Sequence, residues 1–387
     1  MRILMLNYEF PPIGGGGGLA NLNLLRHYAA DDRISIDLLT SSPSNGSSIE
    51  LFAPNITIHK IGITKKDLQH WTRLEVISWL GKAWGYYRQL LRTGGHDLAH
   101  AFFAFPTGYL CWARRRLMPY VISLRGSDVP GQHARLRVDY IILGPLMRAI
   151  WRQASCIVAN SRGLKVRALR FLPTADILVI PNGVDLNRFK PGPVMRADSS
   201  LMLLMVGRLS VTKRIGVLVE AIKLLRESGL DVRLTIAGGG PMELEVRKLV
   251  AARGLTGIVE VKGMVSHDLM PEIYRSHDIF VTATSQEGMS NAMLEAMASG
   301  LPIVTTYCEG VDELIADNGI VVHQARPENL AAAIMELASD RDRLVAMSLA
   351  ARRRALMFSW AEVARQYLEL YQRILAGCRT SRAGSEG

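Results

Sequence analysis

Between Asp278 and Thr305 the chain reads D-I-F-V-T-A-T-S-Q-E-G-M-S-N-A-M-L-E-A-M-A-S-G-L-P-I-V-T. Ile279-Phe280-Val281 is a short apolar run between polar residues, the pattern of a buried strand. Thr284 to Gly288 reads as loop. Ser290 or Asn291 can cap a helix, and Ala292 to Ala298 are good helix formers. Gly300 and Pro302 stop that helix, and Ile303-Val304 opens the next strand. Strand, loop, helix and strand in so short a span commit this part of the chain to an α/β sheet.

The same order has chemical consequences. Glu287 falls at the carboxyl end of a strand, where open α/β sheets bind ligands. Glu295, eight residues later, falls about one turn into the helix. The free N–H groups near Ser290 and Asn291 favour an anion such as a phosphate. Two acceptor carboxylates flanking a phosphate site suit a ligand with hydroxyls on both sides of a diphosphate, as in a nucleotide sugar. An ordinary capped helix with two solvated glutamates is the plainer alternative.

At 387 residues the chain is long for one core, so two domains are expected. Its 49% hydrophobic and 21% charged content excludes the disordered class. Cys111, Cys156, Cys308 and Cys378 are scattered without a C-x-x-C pair. That argues against a disulfide framework or zinc site and is compatible with a reducing, cytoplasmic compartment. No apolar run reaches the roughly 18 residues that a spanning helix needs. Met1 to Tyr8 reads as a strand that breaks at Pro11-Pro12, too short in its apolar part for a signal peptide. Charge is uneven. Residues 1–186 hold 22 Lys/Arg against 12 Asp/Glu, a balance of +10, whereas 187–387 hold 24 against 23, or +1. A basic first half fits an anionic partner such as phospholipid, a lipid-linked diphosphate or nucleic acid, or serves solubility alone.

Arg2 to Asn7 is the first expected strand, followed by the glycine run Gly14 to Gly18 and an apolar helix face at Leu19, Leu22, Leu24 and Leu25. A glycine loop before a helix lets backbone approach a phosphate. Gly15, Gly17 and Ala20 also fit the G-x-G-x-x-A dinucleotide fingerprint, with Asp37 roughly 20 residues on. The Pro-Pro pair and the placing of Asp37 inside Ile34 to Leu39 both weaken that reading. Lys65 to Arg92 carries Trp71, Trp79 and Trp84, half of the six tryptophans, among basic residues. It fits an amphipathic helix pair that either lies on an anionic membrane or packs into the core. Further strands are expected at Asp97–Phe102, Tyr120–Leu124, Cys156–Asn160 and Ile177–Ile180, with a Pro/Gly-rich linker from Lys190 to Ser200. Alternation then restarts: strands at Leu201–Val206, Arg233–Ala237 and Val259–Gly263, a helix from Ile215 to Ser228, a helix at Asn329–Ala338, a last helix from Trp360 to about Leu375, and a frayed polar tail from Thr380. Arg208 and Lys213, at and beyond a strand end, can together neutralise a diphosphate.

The wording E-G-M-S-N-A-M-L-E-A-M-A-S-G-L-P-I-V resembles the E-x7-E signature of the family-4 retaining glycosyltransferases. Gly207-Arg208-Leu209 with Lys213 is similar to the family's G-R-L-x-x-x-K-G, with Arg214 in place of the last Gly. Asp97 to Phe102 resembles the strand that leads to a His-x-His pair, with His100 kept and Phe102 replacing the second His. Arg125 stands where many members carry a donor-contacting His. The resemblance spans Gly14 to Trp360 and implies two Rossmann-like domains facing each other across a cleft, the GT-B architecture. The expected division is 1–186 on the acceptor side, 187–358 for the nucleotide sugar, and 359–387 as a helix returning to the first domain. It also implies transfer from a nucleotide-diphosphate sugar to a glycan, lipid-linked or small-molecule acceptor, with no cofactor and no metal.

Under that resemblance Glu287 contacts the transferred sugar and Glu295 holds the ribose, while Arg208 and Lys213 hold the diphosphate. Gly288, Met289, Ser290, Asn291, Gly263, Gly15 and Gly16 complete the expected donor site. His100, Arg125 and Asp128 are candidate sugar or acceptor contacts, Asp128 having a structural pairing with Arg125 as its alternative. Asp340-Arg341-Asp342 resembles a metal-binding D-x-D but sits in a helical region away from any strand end. A NAD-dependent oxidoreductase and a basic nucleic-acid-binding protein are the competing classes. The second needs aromatic stacking platforms that the basic half lacks outside Lys65 to Arg92.

Overall fold

The computed structural model describes residues 1–65, 67–68, 71–131, 137–192 and 200–383. The chain forms two compact units, one made of Met1–Asn182 with the chain from Trp360 onward, the other of Gly183–Ser359. The units divide at Asn182/Gly183 because Val184 and Phe189 belong to the core of the second unit. Of the expected linker, 193–199 lie outside the described residues.

The first unit is built on β1 (Arg2–Leu6), β2 (Ser35–Ser42), β3 (Ser48–Ala53), β4 (Ile56–Gly62), β5 (Leu98–Phe102), β6 (Tyr120–Leu124), β7 (Cys156–Ala159) and β8 (Ile177–Val179). Among the described residues they form one sheet in the order β3-β4-β2-β1-β5-β6-β7-β8, parallel except for β3 on β4. β1, β5 and β6 are buried along nearly their whole length, which is why they read as unbroken apolar runs. β3 is an edge strand whose short Ser48-Ile49-Glu50-Leu51 alternation leaves Ile49 and Leu51 exposed instead of buried. The last helix, Trp360–Ala383, belongs to this unit and takes in Thr380 to Ala383 of the stretch expected as a tail, whose last four residues lie outside the described residues. Trp360, Val363, Ala364, Tyr367, Leu368, Leu370 and Tyr371 are buried in its core, and the Tyr28 hydroxyl donates to Ala364 O at 2.9 Å.

Two expectations for this unit change. The basic, Trp-bearing stretch is a single helix, Arg73–Thr93, opened by a Thr72/Glu75 capping box. Trp79 and Tyr87 are wholly buried, and the Lys65 ammonium lies 3.9 Å above the Trp71 ring. These aromatics therefore pack inward and are not a membrane face. Asp37 sits within β2, where it accepts hydrogen bonds from Arg2, His59 and His96. A carboxylate so engaged is not placed for a ribose, and the dinucleotide reading fails with it.

The second unit repeats the architecture with β9 (Leu201–Val206), β10 (Val232–Ala237), β11 (Val259–Gly263), β12 (Ile279–Thr282), β13 (Ile303–Thr306) and β14 (Gly319–Val322). The order is β11-β10-β9-β12-β13-β14, with every pairing parallel. Strand succession reverses between β9 and β12. The loops leaving the carboxyl ends of those two strands diverge and open a crevice there. In the first unit the reversal falls between β1 and β5.

Candidate active site

In the second unit the crevice is lined from both sides by expected site residues. β9 delivers Gly207 and Arg208, and the 3₁₀ turn Val211–Lys213 follows. β12 delivers the loop that carries Glu287 and ends at Ser290, the N-cap of helix Asn291–Ala298, whose hydroxyl accepts from Met293 N at 3.4 Å. The two loops are tied together: Ser285 N donates to Thr212 O at 2.9 Å, and the Lys213 ammonium is in direct contact with the Glu287 carboxylate. Thr306 Oγ1 also donates to Thr284 O at 2.6 Å, fastening the Glu287 loop to the end of β13. Gly310, at φ +79°, passes so close to Gly288 that a Cβ there would stand 1.8 Å from the Gly288 carbonyl oxygen. Backbone therefore packs on backbone beneath Glu287.

Glu295 lies one turn into the same helix with its side chain largely covered. Its carboxylate accepts from Tyr274 OH at 3.0 Å and is 3.1 Å from His267 Nε2. Burial, reinforced by Glu295, raises the Tyr274 phenol well above its ordinary range, so it remains a proton donor at neutral pH. Tyr274 and His267 were not singled out in the sequence, because nothing local links them to Glu295. Gly263 ends β11 at φ +69° beside Glu243, two strands from the crevice, and its carbonyl accepts from Gly238 N at 2.8 Å.

The first unit carries the remaining candidates. The helix Gly16–Tyr28 starts inside the glycine run, so Gly16 to Gly18 are helical rather than loop. A Cβ at Gly18 would lie 2.9 Å from the Glu9 carbonyl oxygen, which explains the glycine by close packing of the turn on the end of β1. Gly15 is the N-cap, and its N–H donates to Glu9 Oε2 at 3.4 Å. Glu9, whose carboxyl burial pushes up, is an acid at this unit's strand reversal that the sequence reading passed over. An acid directly after the first strand was the available signal.

His100 is fully buried. Its Nδ1 is 2.6 Å from Tyr371 OH and its Nε2 2.7 Å from Ser123 Oγ. Burial, with the nearby Arg125 charge, holds the ring well below its usual pKa and so neutral. Both nitrogens are engaged inside the core, so His100 is corrected from a sugar or acceptor contact to a structural group. Asp128 is also structural: it accepts from the backbone N–H of Ala104 (2.8 Å), Arg125 (2.8 Å) and Gly126 (3.0 Å). Burial still keeps its carboxyl raised. The expected Arg125–Asp128 pairing thus runs through Arg125 backbone. The Arg125 guanidinium instead lies 4.7 Å over the Phe102 ring and donates to Asn182 Oδ1 at 3.0 Å. The aromatic ring that replaces the second His is its platform. Asp340 caps the helix Arg341–Ala355 through Arg343 N, which accounts for the D-x-D without a metal. Among the described residues no three His, Cys, Asp or Glu side chains are grouped to hold a metal ion, and no helix is long and apolar enough to cross a membrane.

Two family models match the chain in succession: "Glycosyltransferase Family 4" over residues 14–188 and "Glycosyl transferases group 1" over residues 200–340. The chain belongs to glycosyltransferase family 4. Curated relatives agree along its length. Alpha-maltose-1-phosphate synthase of Mycolicibacterium smegmatis is 25% identical, with 97% of this chain and 100% of the relative covered. The D-inositol 3-phosphate glycosyltransferase of Corynebacterium urealyticum is also 25% identical, covering 96% and 95%. Among solved structures, sucrose-phosphate synthase from Thermosynechococcus elongatus shares the fold with a TM-score of 0.82 at 21% identity, over 97% of this chain and 99% of that one. Anabaena HepE in complex with UDP-glucose gives 0.72 at 18%, over 96% and 100%.

The chain is thus a glycosyltransferase with two Rossmann-like α/β units of the GT-B fold. Within this family-4 chain the structure brings together Lys213, Glu287 and the Ser290–Asn291 helix start, with Arg208 at the carboxyl end of β9 and Glu295 one turn behind. It does not bring His100 or Asp128 to any open site.

Proposed function

We propose that this glycosyltransferase moves a hexose-type sugar from a nucleotide-diphosphate donor to a glycan, lipid-linked or small-molecule acceptor, with retention at the anomeric carbon. The reading is carried by one observation: Lys213 and Glu287 touch at the strand reversal of the second unit, ahead of the N-terminus of helix Asn291–Ala298. The cation and the helix N–H groups suit the diphosphate. The carboxylate suits the sugar carbon that turns positive as its bond to the diphosphate breaks. The leaving diphosphate takes the electron pair, and Arg208 with Lys213 offsets its charge, which is the role otherwise filled by a divalent metal. We therefore read the transfer as metal-independent, with no cofactor. Glu295, held by Tyr274 and His267, accepts from the ribose hydroxyls, and Gly288, Met289, Ser290 and Asn291 line the diphosphate. The second unit is the donor half, and the first unit, with Arg125, is the acceptor-side half, while Gly15 and Gly16 of the first unit are read as donor contacts. The +10 balance of residues 1–186 supports work at an anionic surface, so the enzyme is read as cytoplasmic and peripheral at the inner membrane face.

Thermal unfolding with UDP-, GDP- and ADP-sugars tests the reading, since a bound donor raises apparent stability by mass action. One of the donors should stabilise the protein, and transfer should persist in a chelator. The anomeric proton coupling of the product should match that of the donor. A product of opposite configuration, or loss of transfer in chelator, overturns the corresponding part of the mechanism.

A further inference from the structure

We propose that the outer face of two neighbouring helices of the first unit, Arg73–Thr93 and Arg137–Arg152, docks on an anionic phospholipid bilayer. The proposal rests on the membrane-surface reading above and names the residues that would carry it. Leu74 and Ile77 on the first helix are 79% and 64% exposed. Ile141 and Ile142 on the second are 70% and 71% exposed, and Val138 beside them is exposed as well. Scattered apolar side chains on a surface are ordinary, but grouped ones are not. Here the grouping has a cause. Leu74 and Ile77 are three residues apart, as are Val138 and Ile141, so each pair shares a helix face. The Arg73–Asp139 ion pair, at 2.9 Å, fastens the first turns of the two helices to each other. Ile77 lies one turn beyond Arg73 and Ile142 one turn beyond Asp139, so the pair draws both aliphatic groups to one side.

Charge selects the partner. The acids near the patch are engaged: Glu75 with Lys65 and the Thr72 N–H, Asp139 with Arg73. Farther along the same outer faces, at helical spacing from Leu74 and from Val138, stand exposed Arg88, Arg92 and Arg152. Aliphatic side chains flanked by arginines match a surface of acyl chains under anionic headgroups. A second copy of the chain would set arginines against arginines. Gly81 and Gly85 lie between Ile77 and Arg88 on the first helix, where an added Cβ would meet nothing within 4 Å, so packing does not call for them. They leave that helix surface low and open. The tryptophans of the same helix take no part: Trp79 is fully buried, and Trp84 is partly buried against the core with the Arg114 guanidinium 5.2 Å from its ring.

The test is co-sedimentation of the full chain with phosphatidylglycerol-containing and pure phosphatidylcholine vesicles. The parent should partition to the anionic vesicles and release as salt rises. The variant L74Q/I77Q/I141Q/I142Q, at exposed positions where Gln keeps helix propensity, should lose about tenfold or more in partitioning. It should keep its thermal midpoint and its nucleoside-diphosphate affinity. R88Q/R92Q should lower binding to anionic vesicles and leave binding to neutral vesicles unchanged. Should the fourfold variant fail to fold, Ile77→Gln and Ile142→Gln are read singly, each with a smaller loss expected. The proposal is overturned if the aliphatic variants pellet like the parent, if the parent treats both vesicles alike, or if the substitutions only abolish a dimer. Failure of the transferase reading would appear separately, as absence of nucleotide-sugar turnover by the parent, whatever the vesicles show.

Discussion

Glu287 and Glu295 have the same side chain in different surroundings, and we propose different roles for them on that ground. Glu287 touches a cation at the crevice, whereas Glu295 is covered and held by Tyr274 and His267. If Glu287 faces the carbon that gains positive charge, it stabilises the transition state more than the bound donor. Glu287→Gln should then cut turnover by roughly 100-fold or more and leave nucleoside-diphosphate affinity nearly intact. Glu295→Gln should weaken nucleotide and donor alike, by about 1–3 kcal/mol. Calorimetry and a transfer assay on both variants separate these outcomes, and a Glu287→Gln enzyme with lost affinity and normal turnover would reverse the assignment. Asp37 makes a second residue-scale prediction, about stability. Burial pushes its carboxyl up, but hydrogen bonds from His59, His96 and Arg2 outweigh burial and hold it well below the carboxylate range. A carboxyl depressed in the folded state stabilises above the unfolded value, near 4, and that contribution fades as pH falls below it. Asp37→Asn should cost roughly 2 kcal/mol at neutral pH. The gap to the parent in denaturant unfolding should narrow as the pH drops below about 4, and a gap that stays constant with pH would contradict the account.

At the scale of elements, much of the candidate site was legible because it is local. The strand–loop–helix run from Ile279 to Ala298 contains its own apolar core, cap and stop, so Glu287 and Glu295 could be placed without knowing the rest of the molecule. The same holds for β9 with Arg208 and Lys213. What the sequence withheld depended on partners far along the chain. His100 resembled a site histidine, but Tyr371, 271 residues away, and Ser123 draw it into the core. Tyr274 reaches Glu295 across 21 residues. The tryptophans of helix Arg73–Thr93 fitted either the core or a membrane face from sequence, and the full burial of Trp79 places that one in the core. β3 escaped because its alternation is confined to Ser48-Ile49-Glu50-Leu51, an edge strand whose apolar side chains stay exposed. The contact beneath Glu287 offers a test of how rigid that local site must be. Gly310→Ala adds a Cβ where the Gly288 carbonyl already sits, at a backbone angle that alanine disfavours. One of the two loops must shift, and a small displacement of a catalytic group is costly. The variant should lose about tenfold or more in turnover with a modest fall in thermal midpoint, and unchanged kinetics would show that the Glu287 loop tolerates movement.

On the whole-molecule scale the two units differ in how the chain builds them. The second is one continuous segment, Gly183–Ser359, with its own sheet and cores, while the first needs residues from both ends of the sequence. The helix from Trp360 brings seven buried side chains into the first unit, together with the Tyr371 and Tyr367 hydroxyls beside His100 and Ser123. Burying that many large side chains is worth on the order of 10 kcal/mol. A domain is typically stable by only about 5–15 kcal/mol in total. A chain ended at Ser359 should therefore lose the folded first unit, exposing apolar surface and removing the Tyr371 partner of His100 and the Tyr367 partner of Ser123. The second unit has no such dependence. Expressed as residues 183–359, it should fold on its own and bind the same nucleoside diphosphate as the full chain, because Lys213, Glu287, Glu295, Tyr274 and His267 all lie within it. Sugar transfer should be absent from that fragment if, as proposed, the first unit supplies the acceptor side. Calorimetry on the fragment decides the matter. Folded protein that binds no nucleotide would show that the donor site draws on residues outside the second unit. An unfolded fragment would show that its cores do not suffice alone.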